Sequence, residues 1–248
     1  MTFFRHYIQG IAAALILTWG AAAEEVRFLA SDGITIFADE ITHSSGTGAP
    51  LLILFHQAGG DGRAEYAYAA PRFSAAGFSL LVVDQRSGGN RFGGVNRTVE
   101  ALGESTGYCA AYPDLEAALL YASQRYGGPI YAAGSSYSAG LVIKLGAKHA
   151  DKLAGVIAFS PAAGGPMKDC SPNPFATTLK TPTMVLRPRR EMANPAVADQ
   201  FALFEKAGHT MFVAENGVHG SSMLDPARTK SDTEAVWQAV LAFFEATQ

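Results

Sequence analysis

Three serines crowd one short stretch of the chain, Ile130-Tyr131-Ala132-Ala133-Gly134-Ser135-Ser136-Tyr137-Ser138-Ala139-Gly140. A serine hydroxyl attacks a carbonyl only when the backbone holds it exposed beside a base. A sharp strand-to-helix turn does this, and it needs small residues two before and two after the nucleophile. Ser136 has Gly134 and Ser138 at those places. Ser135 has the ring of Tyr137 two places on, which would crowd the turn. Ser138, flanked by Ser136 and Gly140, lies further into the following helix and is the alternative. The competing account is that small residues here merely let a helix pack closely on a sheet.

A serine nucleophile needs a base, a group that orients the base, and donors for the oxyanion. Histidine is the usual base because it titrates near neutrality. Of the six histidines, His219 stands in Glu215-Asn216-Gly217-Val218-His219-Gly220-Ser221-Ser222, a glycine-bounded loop after the last apolar run. His6 falls in the first segment, His43 and His149 lie by loops or a helix, and His209 opens a strand. His56 comes too early in the chain order and is expected to brace its own loop. For the orienting acid, Glu191 is the one carboxylate in Arg187-Pro188-Arg189-Arg190-Glu191-Met192, directly after an apolar strand. Asp199 is eight residues on, inside the next helix, and Glu215 is close to His219 in sequence. The arginines beside Glu191 offer a competing role, a surface ion pair. The oxyanion donors are expected to be the Tyr137 N–H, just after the nucleophile, and an N–H of His56-Gln57-Ala58-Gly59-Gly60, from Ala58 or Gln57.

The elements that must hold these residues read as alternating strands and helices. Residues 26–30 and 34–41 form a hairpin around Asp32-Gly33. Apolar runs at 51–55, 78–83, 130–133, 153–159, 183–186 and 209–214 are the pattern of strands covered on both faces. Helices are expected over 65–76, 113–126, 138–149 and 232–246, and the glycine-rich stretch 87–107 shows no clear period. This order predicts an α/β chain with a mainly parallel sheet, whose ligands bind beyond the carboxyl ends of the strands.

The 248 residues are 48% hydrophobic and 17% charged, enough for one sizeable core. A net charge of −3 offers no basic field to nucleic acid. Residues 1–23 read as an export signal: Arg5 and His6, a mostly apolar stretch, then Ala21-Ala22-Ala23 as a cleavage site. The apolar stretch falls short of a comfortable membrane span, and an uncleaved anchor is the alternative. The mature domain is then 24–248, periplasmic or secreted, with no stable membrane insertion. Its two cysteines, Cys109 and Cys170, are expected to pair in an oxidising compartment, with two separate thiols as the alternative. No tight Cys/His spacing points to zinc.

The order serine, acid, histidine, with the residues quoted, resembles the α/β-hydrolases. The nearer likeness is to small esterases and dienelactone-hydrolase-like proteins without a large lid, and it runs from about Arg27 onward. It implies an eight-stranded, mostly parallel sheet with Ser136 as nucleophile, Glu191 as acid and His219 as base. Three departures stand out: Ser138 where the elbow usually has Gly, Gln57 where Gly normally follows the loop histidine, and Glu191 where Asp is commoner. Dienelactone hydrolases are known for a cysteine nucleophile, and no Cys stands in this elbow. The resemblance therefore implies cleavage of carboxylic esters of small molecules through an acyl-enzyme intermediate, without metal or organic cofactor. An exported serine peptidase, a lactone or thioester hydrolase, and an inactive binding protein retaining the fold are the alternatives. Nothing in the sequence sets an oligomeric state.

Overall fold

The computed structural model describes residues 23–247, so all of the expected export signal but its last residue lies outside the described residues. Eight strands form one sheet in the order β1-β2-β4-β3-β5-β6-β7-β8. They are β1 (Glu24–Leu29), β2 (Thr35–Ile41), β3 (Leu51–Phe55), β4 (Ser79–Asp84), β5 (Ile130–Ser135), β6 (Gly155–Phe159), β7 (Thr183–Pro188) and β8 (Thr210–Ala214). The hairpin strand β1 pairs antiparallel with β2, and β2 antiparallel with β4; every other pairing is parallel. The sheet is thus eight-stranded and mostly parallel, as expected.

Side chains of a strand alternate between faces, and the apolar runs feed two separate cores this way. Leu51, Ile53 and Phe55 of β3, with Ala132 and Val156, build one core. Leu52 and Leu54, with Tyr131, Ile157 and Phe159, build the other. The helices α4 (Tyr112–Arg125), α5 (Tyr137–Lys148) and α6 (Pro195–Lys206) cover the first face through residues such as Leu115, Leu141 and Phe204. The second face is covered by α1 (Gly62–Tyr66), α2 (Ala69–Ala75) and α8 (Glu234–Thr247), with Tyr66, Phe73, Trp237 and Phe244 buried in one cluster. A strand buried on both sides must be apolar at every position, which is why the central runs show no polar alternation.

The expected helix over 65–76 is instead two short helices, α1 and α2. Asp61 starts the first by accepting the Ala64 N–H at 2.8 Å. Pro71 sits in the first turn of the second, where it has no N–H to give residue 67 and its ring would clash with that carbonyl. The stretch 87–107 also contains a helix, α3 (Arg97–Leu102), capped by Asn96 and closed by Gly103 at φ +81°. At six residues it is too short to show a period. A four-residue helix, α7 (Pro226–Thr229), follows the His219 loop.

Cys109 and Cys170 are joined in a disulfide across 61 residues of sequence. It ties a 3₁₀ turn at Tyr108–Ala111 to another at Gly165–Cys170. Closing so long a loop restricts the unfolded chain, and replacing both cysteines by Ser is expected to cost about 2–4 kcal/mol. Urea unfolding with and without reductant checks this; coincident midpoints would show that the bridge carries no stability. Among the described residues no helix is long and apolar enough to cross a membrane.

Candidate active site

Strand order reverses between β3 and β5: the chain goes outward from β3 to β4, then the other way from β5 to β6. Such a switch point opens a crevice at the carboxyl ends of the strands. Register aligns the two strand ends there, with Phe55 of β3 opposite Gly134 of β5. Residues 56–58 therefore emerge beside 135–137.

Between β5 and α5 the chain turns within one residue. Ser136 has φ +61° and ψ −113°, a conformation that residues other than glycine rarely adopt. The turn is held by the Ser136 N–H, which donates to the Phe159 carbonyl at 2.9 Å, and by the Ala162 N–H, which donates to the Ser136 carbonyl at 3.0 Å. It closes only because Gly134 lacks a side chain. A Cβ there would lie 2.4 Å from the Ser138 carbonyl oxygen, a backbone atom that cannot swing aside. Gly134→Ala is accordingly expected to destabilise the fold by about 1–3 kcal/mol or more, read as a lowered thermal midpoint. A variant as stable as the wild type would refute this account of the elbow.

The three serines have different fates. Ser135 and Ser138 are both fully buried. Ser135 Oγ accepts the Ser221 N–H at 2.9 Å. Ser138 Oγ donates to the His56 carbonyl at 2.5 Å and accepts from Gln85 Nε2 at 2.7 Å. Ser136 is partly exposed, and its Oγ lies 2.8 Å from His219 Nε2.

His219 ends the loop after β8, just before a 3₁₀ turn at Gly220–Leu224. Its Nδ1 lies 2.6 Å from Glu191 Oε1. Glu191 sits in the 3₁₀ turn Arg189–Ala193 that follows β7. A carboxylate only accepts, so Nδ1 carries the proton that Glu191 binds, and the neutral ring has its lone pair on Nε2, facing the Ser136 hydroxyl. Ser136, His219 and Glu191 thus form one continuous hydrogen-bonded chain drawn from three strand ends.

Glu191 has two further partners. Arg187 Nη1 donates to its Oε2 at 2.8 Å, and Ser160 Oγ donates to its Oε1 at 3.2 Å. Burial alone would raise this carboxyl's pKa, but the hydrogen bonds and charges of His219 and Arg187 outweigh it and hold it below the ordinary value of 4.5. Arg187 is itself buried, which pulls its guanidinium down while Glu191 opposes the shift. Its Nη2 donates to Pro161 O and Gln200 Oε1. The ion pair does not displace the histidine, because each carboxylate oxygen takes one of them. Ser160, at φ +54° beyond the end of β6, also accepts the Gly220 N–H at 3.1 Å, joining the acid to the histidine loop. Neither Arg187 nor Ser160 was expected at the site from sequence. The signal available was position alone, a polar residue at the carboxyl end of an apolar strand.

The loop after β3 discriminates between its two candidate donors. The Gln57 N–H donates to Glu65 Oε2 at 2.7 Å and is spent. Among the described residues neither the Ala58 N–H nor the Tyr137 N–H has a backbone or side-chain acceptor. Tyr137 opens α5, so its N–H also lies at the positive end of a 12-residue helix. His56 is fully buried, with Nδ1 2.9 Å from the Gln57 carbonyl and Nε2 accepting the Gln85 N–H at 3.0 Å. Both ring nitrogens are occupied, so it braces the loop as expected.

The disulfide turn stacks Tyr108 on Tyr137 with ring centroids 4.8 Å apart, beside the elbow. The His219 side chain is 43% exposed, and no inserted lid covers it among the described residues. A separate groove, lined by Thr183, Met184, Thr210 and Phe243, runs along the opposite ends of β7 and β8 and shares no residue with the site. Among the described residues no three His, Cys, Asp or Glu side chains are grouped to hold a metal ion.

No family model and no curated relative matches this sequence. Solved structures do. An esterase of Pyrococcus furiosus is similar with a TM-score of 0.69 at 15% identity, covering 92% of this chain and 93% of its own. A thermostable carboxyl esterase of Bacillus coagulans gives 0.68 at 13% identity, covering 91% and 99%. A dienelactone-hydrolase-like protein of Klebsiella pneumoniae gives 0.65 at 15%, covering 90% and 99%. Together with the strand order and the strand-end elbow, these likenesses show that the chain has the α/β-hydrolase fold.

Proposed function

We propose that this protein is a serine hydrolase that cleaves carboxylic esters through an acyl-enzyme intermediate. The observation that carries the reading is the unbroken line Ser136–His219–Glu191, with the Tyr137 and Ala58 N–H groups on the neighbouring strand ends left without protein acceptors among the described residues. His219 Nε2 takes the Ser136 proton as Oγ attacks the ester carbonyl carbon. The carbonyl oxygen, now negative, is held by the N–H groups of Tyr137 and Ala58, preorganised donors that gain most when the charge is full. Glu191 stabilises the imidazolium that forms. His219 then gives its proton to the departing alkoxide, the alcohol leaves, and the same groups in reverse activate water to free the acid and restore Ser136.

The open setting of His219 supports substrates with short acyl groups or ester bonds presented at a surface, since among the described residues no inserted lid walls off a long acyl chain. Two of the similar structures are esterases, which supports ester chemistry, and an acylaminoacyl peptidase of Pyrococcus horikoshii with a TM-score of 0.64 at 14% identity, covering 92% of this chain and 42% of its own, keeps amides in the comparison. A panel of short-chain p-nitrophenyl esters, lactones, thioesters and peptide amides tests this. Esters should give the highest kcat/KM, and a fluorophosphonate should label Ser136 stoichiometrically. A folded wild-type protein that neither hydrolyses any member nor takes the label would leave the binding-protein alternative.

The disulfide supports an exported protein, because such bonds persist in oxidising compartments. In this reading residues 1–23 are removed and 24–248 form the catalytic domain. Protein recovered from outside the cytoplasm should begin at Glu24; an N-terminus at Met1 would overturn it.

A further inference from the structure

Glu65, on α1, is a buried carboxylate with only 3% exposure and no role in the triad. Among the described residues no cation lies within ion-pair distance of it. The nearby guanidinium of Arg228 donates instead to the backbone carbonyls of Glu65 and Ala64, each at 2.9 Å. A buried carboxylate without a cation is costly, and departures from good packing of this kind concentrate at functional sites. What Glu65 accepts defines its place. Oε2 takes the Gln57 N–H at 2.7 Å, and Oε1 takes the Ser221 hydroxyl at 2.5 Å. Ser221 is two residues beyond His219, and its own N–H is anchored on Ser135, the residue before the nucleophile. The same helix is fixed to the end of β3 by the Tyr66 hydroxyl, which donates to the Phe55 carbonyl at 2.9 Å.

We propose that Glu65 is a positioning residue that locks the oxyanion loop to the histidine loop. This rests on the hydrolase reading above. By holding the Gln57 N–H away from the crevice, the carboxylate leaves Ala58 as the loop's inward donor. By holding Ser221 it sets the base loop against the same helix, so the second oxyanion donor and the base keep one spacing. Charge strengthens both hydrogen bonds, which resists the pull of the forming oxyanion on the loop. Gln57 stands where glycine is usual in such loops, and the lock offers a reason that a bulkier residue is tolerated: its N–H is tied back rather than free to rotate inward.

The test compares wild type, Glu65→Ala, Glu65→Gln, Ser221→Ala and Ser136→Ala, with kcat and KM for a p-nitrophenyl ester and the rate of Ser136 labelling by a fluorophosphonate. Phosphonylation passes through a transition state that uses the oxyanion donors, so it reports their placement. Glu65→Ala is expected to lower kcat at least 30-fold with KM within threefold, and to slow labelling in parallel. Glu65→Gln keeps one acceptor for the Gln57 N–H and can donate to Ser221, so it should recover kcat to within tenfold of wild type. Ser221→Ala cuts one contact without emptying the site, and a fivefold to tenfold loss in kcat is expected even if Glu65→Ala fails to fold. Glu65→Ala labelled as fast as wild type, Glu65→Gln as impaired as a folded Glu65→Ala, or Ser221→Ala at wild-type rates would each overturn the proposal. Failure of the hydrolase reading itself looks different: wild type and Ser136→Ala would then be equally inert to the label.

Discussion

Ser136→Ala and His219→Ala are each expected to lower kcat/KM for an activated ester by about 10⁵- to 10⁶-fold, and the double variant should lose little more. The two side chains act as one unit, with Oγ and Nε2 2.8 Å apart, so removing either ends nucleophilic attack. Non-additivity is the sharper measure. Residual hydrolysis of about 10³- to 10⁴-fold over water should survive in all three variants, because in the proposed mechanism the Tyr137 and Ala58 N–H groups would still bind the oxyanion formed by attacking water. Neither remaining serine can substitute. Ser135 and Ser138 are fully buried, and their hydroxyls are committed to Ser221, His56 and Gln85. Steady-state kinetics on the purified variants checks this. A Ser136→Ala protein within tenfold of wild type would end the assignment of the nucleophile.

Glu191→Gln should cost about 10³- to 10⁴-fold in kcat with the fold retained. An amide can turn its NH₂ toward His219 Nδ1, which favours the tautomer carrying its proton on Nε2. That proton would point at the Ser136 hydroxyl and leave no acceptor for its hydrogen. The same change strips Arg187 of its carboxylate, leaving a buried guanidinium without an ion-pair partner at a cost of about 3–5 kcal/mol. The sign of the pH dependence follows from the lowered pKa of Glu191. A carboxyl held below its ordinary value of 4.5 contributes its full stability above that pH and loses it as pH falls through the folded-state value. The urea midpoints of wild type and Glu191→Gln should therefore lie apart at neutral pH and converge below about pH 4.5. A gap that stays constant from pH 3 to pH 7 would show that the charge of Glu191 is not what the structure uses.

Local chemistry made much of this molecule legible beforehand. Apolar runs buried on both faces announced the parallel strands, and the small residues around Ser136 announced the turn, since a Cβ at Gly134 has no room. The chain order of Ser136, Glu191 and His219 followed from placing each at a strand end. The helix over 65–76 was misjudged because one proline, Pro71, divides it. The helix at Arg97–Leu102 went unseen because its stability comes from a cap and from packing rather than from a repeating pattern.

What the sequence determined alone was the set of strand ends and the residue types that stand on them. These depend on neighbours within a few positions, through side-chain alternation, turn sterics and capping. The tertiary structure decided which of those ends meet. Only strand order brings β3 beside β5 and the loop after β8 back over Ser136, across 83 residues of chain. Only packing spends the Gln57 N–H on Glu65, while the Ala58 N–H keeps no protein acceptor among the described residues. Cys109 and Cys170 had two futures in sequence, and proximity across 61 residues selected the bond. Long-range contacts of this kind leave no local pattern, because the partners are set by how strands are ordered in space rather than by the residues beside them.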